Sequence, residues 1–151
     1  DEIEHKDAWE LDRHVETAMT KLHLPPAEAL VSECSGGERR RVALCRTLLE
    51  HTALLLLDEP TTHLDIEGCQ WLESFLAEAF PGAVIVVSHD RWLIQRVVQR
   101  VIEVEFAAIR SYPGAFSDYQ EQRRQRLLTA DRQRQKQLDH VRRDESYIRR
   151  Y

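Results

Sequence analysis

The chain has 151 residues, 42% hydrophobic and 31% charged, a balance that suits one soluble globular unit or one unit with an appendage. No apolar run approaches the roughly 18 residues a membrane helix needs, no signal peptide is visible, and the three cysteines (Cys34, Cys45, Cys69) form no CxxC pair, which argues against a secreted disulfide scaffold and for a reducing, cytoplasmic setting. The net charge of −5 conceals an asymmetry: residues 1–106 carry 10 Lys/Arg against 20 Asp/Glu, whereas 107–151 carry 11 against 6. Such a split points to two parts with different partners, and a basic tail suits RNA phosphates. The plainer alternative for that tail is a solvated helix of mixed charge. No histidine stands beside a cysteine at ligand spacing, so a zinc site is not expected.

In chain order, Trp9 to Leu24 is expected to form an amphipathic helix, with Leu11, Val15, Ala18, Met19 and Leu22 at helical spacing and Pro25-Pro26 as its stop. A polar stretch leads into Cys34-Ser35-Gly36-Gly37-Glu38 and then a second helix, whose apolar face is Val42, Ala43, Cys45, Leu48 and Leu49. The run Leu54-Leu55-Leu56-Leu57 ends in Asp58-Glu59-Pro60. So short a run also allows a helix, but the proline and the acidic pair favour a buried strand with a polar end. Ile66 to Phe80 is expected as a helix closed by Pro81-Gly82. Ala83 to Val87 follows as a second continuous apolar run, ending in Ser88-His89-Asp90, and helical spacing resumes from Trp92 to Val98. Val101 to Val104 and Ile109 to Tyr112 are expected as two further short strands. Strands that alternate with helices and lack period-two alternation predict an α/β fold on a parallel sheet.

From Ala115 the composition changes: Arg and Gln dominate and neither Gly nor Pro occurs. One helix of about 35 residues is expected there, roughly 50 Å long. A weak seven-residue echo, Val141 to Ile148, points to packing against a single partner helix. The expected division is therefore 1–112 as a globular part, itself split near residue 50, and 113–151 as a helical arm.

Three places can carry chemistry. In open α/β sheets, ligands sit at the carboxyl ends of the strands. Asp58 falls there, where a carboxylate can hold Mg²⁺, usually through water. Glu59, one residue on, can orient or deprotonate a water for attack on a γ-phosphate. The alternative is a strand-terminal acidic pair with no ligand. Ser35-Gly36-Gly37-Glu38 opens a helix, where glycines let backbone N–H groups approach an anion and the helix dipole adds positive potential. Serine followed three residues later by glutamate is equally a capping box. His89 ends the Ala83–Val87 strand, so the same geometry sets it beside Asp58 and Glu59, within reach of a phosphate oxygen. A lone strand-end histidine is otherwise structural.

Taken in this order and at these separations, the elements resemble the ATP-binding cassette ATPases. Cys34 to Glu38 is similar to the ABC signature, Leu54 to Glu59 to Walker B with its catalytic glutamate, Thr61-Thr62-His63-Leu64-Asp65 to the D-loop, and Ser88-His89-Asp90-Arg91 to the H-switch. Arg39-Arg40-Arg41-Val42-Ala43-Leu44, the Thr-Thr-His-Leu-Asp run and Ser111 to Tyr119 resemble the ABC-F class in particular. The Arg/Gln-rich helix resembles the first half of the linker that joins that class's two ATPase domains. The resemblance spans about residues 30–112, and more weakly the rest.

It implies a parallel-sheet, P-loop-type core followed by a helical arm, working with ATP and Mg²⁺. Ser35 and Gly37 would touch the γ-phosphate of ATP held by a second domain of the same chain, with Gly36 and Glu38 completing that ATP-binding turn. Asp58 would serve Mg²⁺, Glu59 the attacking water, His89 the γ-phosphate, and Asp65 the ATP-site contacts that couple the two sites. ABC-F proteins lack membrane domains and commonly act on the ribosome, with the linker contacting tRNA, so ribosome and tRNA are the expected partners. Departures are Cys34 for the usual Leu, Arg39 for a frequent Gln, Thr62 for a frequent Asn, and Glu105-Phe106-Ala107-Ala108 without the usual glycine turn. No GxxxxGK[ST] occurs, and the chain starts at Asp1 rather than Met. The expectation is a piece of the first of two tandem domains, inactive alone because nothing cradles the β- and γ-phosphates. Two other readings stay open: the ATP-binding subunit of a membrane transporter, which has no reason to carry the arm, and a non-catalytic ribosome- or RNA-binding module with vestigial motifs.

Overall fold

The computed structural model of the chain describes residues 13–50 and 52–149. The expected helix start at Trp9 and the last two residues of the arm lie outside the described residues. Packing divides the chain into two compact units, one ending at Val97 and one starting at Val98.

In the first unit, helix α1 covers 13–21. It stops short of the expected Leu24: His23 takes a left-handed φ of 48°, and Pro25 disfavours helical backbone at the residue before it. Helix α2 (Gly36–Leu49) is followed by strand β1 (Leu54–Asp58), helix α3 (Ile66–Ser74), strand β2 (Ala83–Val87) and helix α4 (Arg91–Val97). The helix expected over Ile66–Phe80 changes pitch at its end. Phe75–Ala79 is π-helical, closed by a Phe80 N–H to Phe75 carbonyl bond of 2.9 Å. Pro81-Gly82 then ends it, and Gly82 is needed because a Cβ there would meet the Thr52 and Ala53 carbonyl oxygens at 2.9 Å.

β1 and β2 pair in parallel, Leu54 opposite Ala83 through Asp58 opposite Val87. α2, α3 and α4 cover one face of this sheet. Leu48, Leu55, Leu57, Leu72, Leu76 and Leu93 form the core there, with Leu72 and Leu93 fully buried. Ala18, Leu22 and Cys45 form a second cluster under α1, and Leu64 and Trp71 touch both. The opposite sheet face shows Leu54, Leu56, Ile85 and Val87, 48–66% exposed. The two apolar runs thus supply two apolar faces, as in a sheet made for burial on both sides.

The second unit holds the two further short strands, β3 (Arg100–Glu105) and β4 (Ala108–Pro113), which form an antiparallel hairpin of their own. A two-residue connection permits nothing else, since a parallel crossover needs a dozen or more residues. The turn residues Phe106 and Ala107 both take left-handed φ, 49° and 58°, the geometry that fits a twisted hairpin and that glycine or asparagine adopts at lower cost. Helix α5 (Phe116–Ile148) has the expected length and packs its first turns on the hairpin. By packing, the hairpin therefore groups with the arm, and the expected 112/113 division falls inside this unit.

Glu103 lies between the hairpin and α5 and is 9% exposed. Its carboxylate accepts from Arg126 Nη1 (2.7 Å), Arg123 Nε (2.9 Å) and the hydroxyls of Tyr112 and Tyr119 (both 3.2 Å). These donors, Arg126 foremost, hold its carboxyl down at about 2 against an ordinary 4.5. A depressed carboxyl stabilises the fold fully above the unfolded value and loses that contribution as pH falls through the native one. The difference in melting midpoint between wild type and Glu103→Gln is therefore expected to be constant above pH 4.5 and to shrink toward pH 2. Thermal scans of both proteins across that range check it.

Candidate active site

The site forms where β1 and β2 end together. The Glu59 N–H donates to the Val87 carbonyl (2.8 Å), continuing the parallel ladder one residue past Asp58. Glu59 takes a left-handed φ of 46°, uncommon for a residue with a side chain. Its Oε2 accepts from the His89 backbone N–H (3.3 Å), and its Oε1 lies 3.6 Å from His89 Nε2. Register thus delivers the two residues to one edge, and the strained backbone turns Glu59 back over the neighbouring strand. The His89 side chain is 99% exposed, whereas that of Glu59 is 35% exposed. An exposed imidazole beside a half-covered carboxylate leaves room for an incoming anion.

Asp58 is exposed and its carboxylate has no hydrogen-bond or ion-pair partner among the described residues. Magnesium keeps several waters and takes one or two carboxylates together with substrate phosphates. One unengaged carboxylate at a strand end fits that demand, and no group of three metal-ligating side chains occurs among the described residues. A cleft of about 460 Å³ borders this edge, lined by Asp58, Glu59, Thr62, Arg40, Arg41 and Thr47 among others.

The Ser35 turn is a complete capping box. Ser35 Oγ accepts from the Glu38 N–H (3.2 Å), and Glu38 Oε2 accepts from the Ser35 N–H (2.7 Å). Those bonds from Ser35 hold the Glu38 carboxyl below its usual value. The cap explains Ser35 and Glu38; it does not explain the glycines. A Cβ at Gly36 would meet nothing within 4 Å, and one at Gly37 nothing nearer than 3.7 Å. Two residues that weaken a helix thus occupy its first turn where the chain's own packing needs neither. Gly36→Ala is expected to stabilise the protein by up to about 1 kcal/mol, while ATP turnover of the full-length protein falls. Parallel denaturation and turnover measurements check it, and unchanged turnover would leave the cap as the turn's whole purpose.

Asp65 is placed differently from the other candidates. It caps α3, Oδ1 accepting from the Gly68 N–H (2.8 Å), and Oδ2 lies 2.8 Å from His23 Nδ1. The bond from Gly68 keeps its carboxyl below the ordinary value. Both oxygens therefore already work within the chain. Sequence reasoning missed what holds this loop. Arg40 Nη1 lies 2.7 Å from His63 Nε2, and Arg41 donates to the His63 and His23 carbonyls (3.4 and 3.2 Å). His63 itself has a φ of 71°. The triple arginine pointed to a class of protein; nothing in its spacing showed a contact 22 residues away.

Two family profiles, both described as ABC transporter, match residues 2–62 and 102–151. Among curated proteins, the energy-dependent translational throttle protein EttA of Mycobacterium tuberculosis is 48% identical over 132 residues, covering 87% of this chain and 24% of its own length. The chain belongs to the ATP-binding cassette family. The ATP-binding protein ChvD of Rhizobium radiobacter is 39% identical to this ATP-binding cassette chain over 148 residues, covering 98% of it and 51% of the relative. Together these relatives bear out the ABC-F resemblance. The chain spans about a quarter of the length of the throttle proteins it matches. Among solved structures, a dimeric ATP-binding cassette in a post-hydrolysis state, bound to ADP and Pi, shares its fold at TM-score 0.51 and 25% identity, over 67% of this chain and 46% of that one. No described helix is long and apolar enough to cross a membrane.

Proposed function

We propose that this chain supplies the water-activating and ATP-completing parts of an ABC-F ATPase that couples ATP binding and hydrolysis to translation. The observation that carries this reading is the Glu59–His89 edge: a carboxylate on left-handed backbone tied to the neighbouring strand, beside an exposed imidazole and an unengaged Asp58. Glu59 orients and deprotonates the attacking water, and His89 contacts the γ-phosphate. Asp58 would hold Mg²⁺, which would supply neutralisation of phosphate charge there. The Ser35–Glu38 turn presents backbone N–H groups and the Ser35 hydroxyl to ATP held by another domain, while Asp65 fixes the intervening loop. The unneeded glycines support this, because they leave the turn open to close approach.

The uncovered sheet face supports a larger domain. Leu54, Leu56, Ile85 and Val87 make an apolar surface that a parallel sheet buries. In this reading residues 1–112 belong to the first of two tandem nucleotide-binding domains and 113–151 to the linker. The chain alone, without a phosphate-cradling loop, does not hydrolyse ATP. The second domain, the ribosome and tRNA are the partners, in the cytoplasm. The exposed Arg/Gln-rich α5 favours this over a transporter subunit, and the ordered Glu59–His89 pair favours it over a vestigial module.

The test is ATP turnover of the full-length protein with and without ribosomes. Several-fold stimulation by ribosomes is expected. A rate indifferent to ribosomes would break the link to translation while leaving the ATPase assignment standing.

A further inference from the structure

The connection between hairpin and arm is narrow. Gly114 alone turns the chain from β4 into α5, at a φ of 104° that a side chain rarely adopts. Its N–H donates to the Gln99 carbonyl (3.0 Å), and Asp118 Oδ2 accepts from the Ala115 N–H (2.9 Å) to start the helix. A helix attached at one glycine is free to swivel. With 33 residues in α5, a ~10° swivel moves its far end by about 9 Å over a length near 50 Å.

A second set of contacts spans this hinge. Tyr119, Arg123 and Arg126 lie at i, i+4 and i+7 and so share one face of α5. All three reach the buried Glu103 of β3. Arg126 also donates to the Tyr112 hydroxyl on β4 and, through Nη2, to Glu105 (3.3 Å). Tyr112 and Tyr119 meet edge to face at 5.1 Å, with Phe116 5.7 Å from Tyr119. The contacts reach both strands and about three helical turns. From Leu127 to Arg149 every residue except Asp139 is exposed.

We infer that Glu103, gripped by Tyr119, Arg123 and Arg126, is a positioning residue that makes hairpin and arm one rigid body and fixes the direction in which the arm projects. Burial gives the clamp its strength: two guanidinium groups and two hydroxyls satisfy one carboxylate out of bulk water, where charge-assisted hydrogen bonds are strongest. Without the carboxylate, Gly114 becomes a hinge and the arm loses a defined aim, though its helix persists. The inference stands apart from the nucleotide reading, because no nucleotide enters it.

The experiment is pulsed electron–electron distance measurement on the full-length protein, freed of other reactive cysteines and spin-labelled at Ile109→Cys on the hairpin and Gln137→Cys on the arm. Glu103→Gln is expected to broaden the distance distribution at least two-fold at unchanged helix content by circular dichroism. Arg126→Gln, which removes the cation but keeps the carboxylate, is expected to broaden it as well. Arg124→Gln, whose partner is the neighbouring surface residue Glu121, should leave the width as in wild type. If Glu103→Gln unfolds the hairpin, Arg126→Gln decides. A wild-type width in Arg126→Gln, or equal broadening in Arg124→Gln, overturns the inference.

Discussion

Glu59→Gln in the full-length protein is expected to lower ATP turnover by about 100- to 10,000-fold, the range a positioned general base contributes, while ATP binding survives. The substitution is nearly isosteric. It keeps an oxygen able to accept the His89 N–H at 3.3 Å, so the left-handed backbone and the link between the strands persist. What disappears is the capacity to take a proton from water. His89→Ala removes an exposed side chain that packs on little of its own chain, so it should cost turnover without costing stability. Single-turnover hydrolysis and nucleotide binding, measured side by side, separate these effects. Turnover unchanged in Glu59→Gln would return the residue to a structural strand end.

Leu72→Ala should be the most damaging single truncation in the core. Leu72 is 0% exposed and packs within the cluster that also holds Leu48, Leu55, Leu57, Leu76 and Leu93. Emptying such a site costs about 2–5 kcal/mol, the spread reflecting how far neighbours relax. Trp71, stacked on Phe75 at 5.3 Å beside the lost side chain, gives denaturant unfolding an internal fluorescence signal. Leu56→Ala is the informative contrast. Leu56 is 66% exposed on the uncovered sheet face, so in this chain alone its truncation should cost under about 1 kcal/mol. If the remainder of a larger domain covers that face, the same change in the full-length protein approaches the cost of Leu72→Ala. Equal small costs in both settings would mean that the face is a free surface.

The features legible in the sequence were those fixed by local pattern. An apolar run ending in Asp58-Glu59 and another ending in Ser88-His89 could be read as strands with polar carboxyl ends, and the register brings Glu59 and His89 together as expected. The absence of Gly and Pro after Ala115 marked the arm, and α5 follows. What escaped depends on contacts far apart in sequence or on connection length. β3 and β4 are expected as short strands without a stated pairing; the two-residue Phe106-Ala107 turn, which lacks the usual glycine, makes them a hairpin. Glu103 shares its strand face with Val101 and Glu105, a mixed face that reads as solvent-facing, and its burial comes from contacts with arginines 20 and 23 residues further on. The π-helical end of α3 has no periodic signature at five residues. Beside the coupling role expected of Asp65, its carboxylate caps α3 and pairs with His23, a partner 42 residues earlier that no spacing announces.

Sedimentation of the full-length Glu59→Gln protein through sucrose, with ribosomes and with or without ATP, bears most directly on the account. The trapped protein is expected to travel with ribosomes in ATP and to stay near the top of the gradient without it. Failure to associate with ribosomes in saturating ATP, by a protein that demonstrably binds nucleotide, would contradict the proposed coupling of ATP hydrolysis to translation.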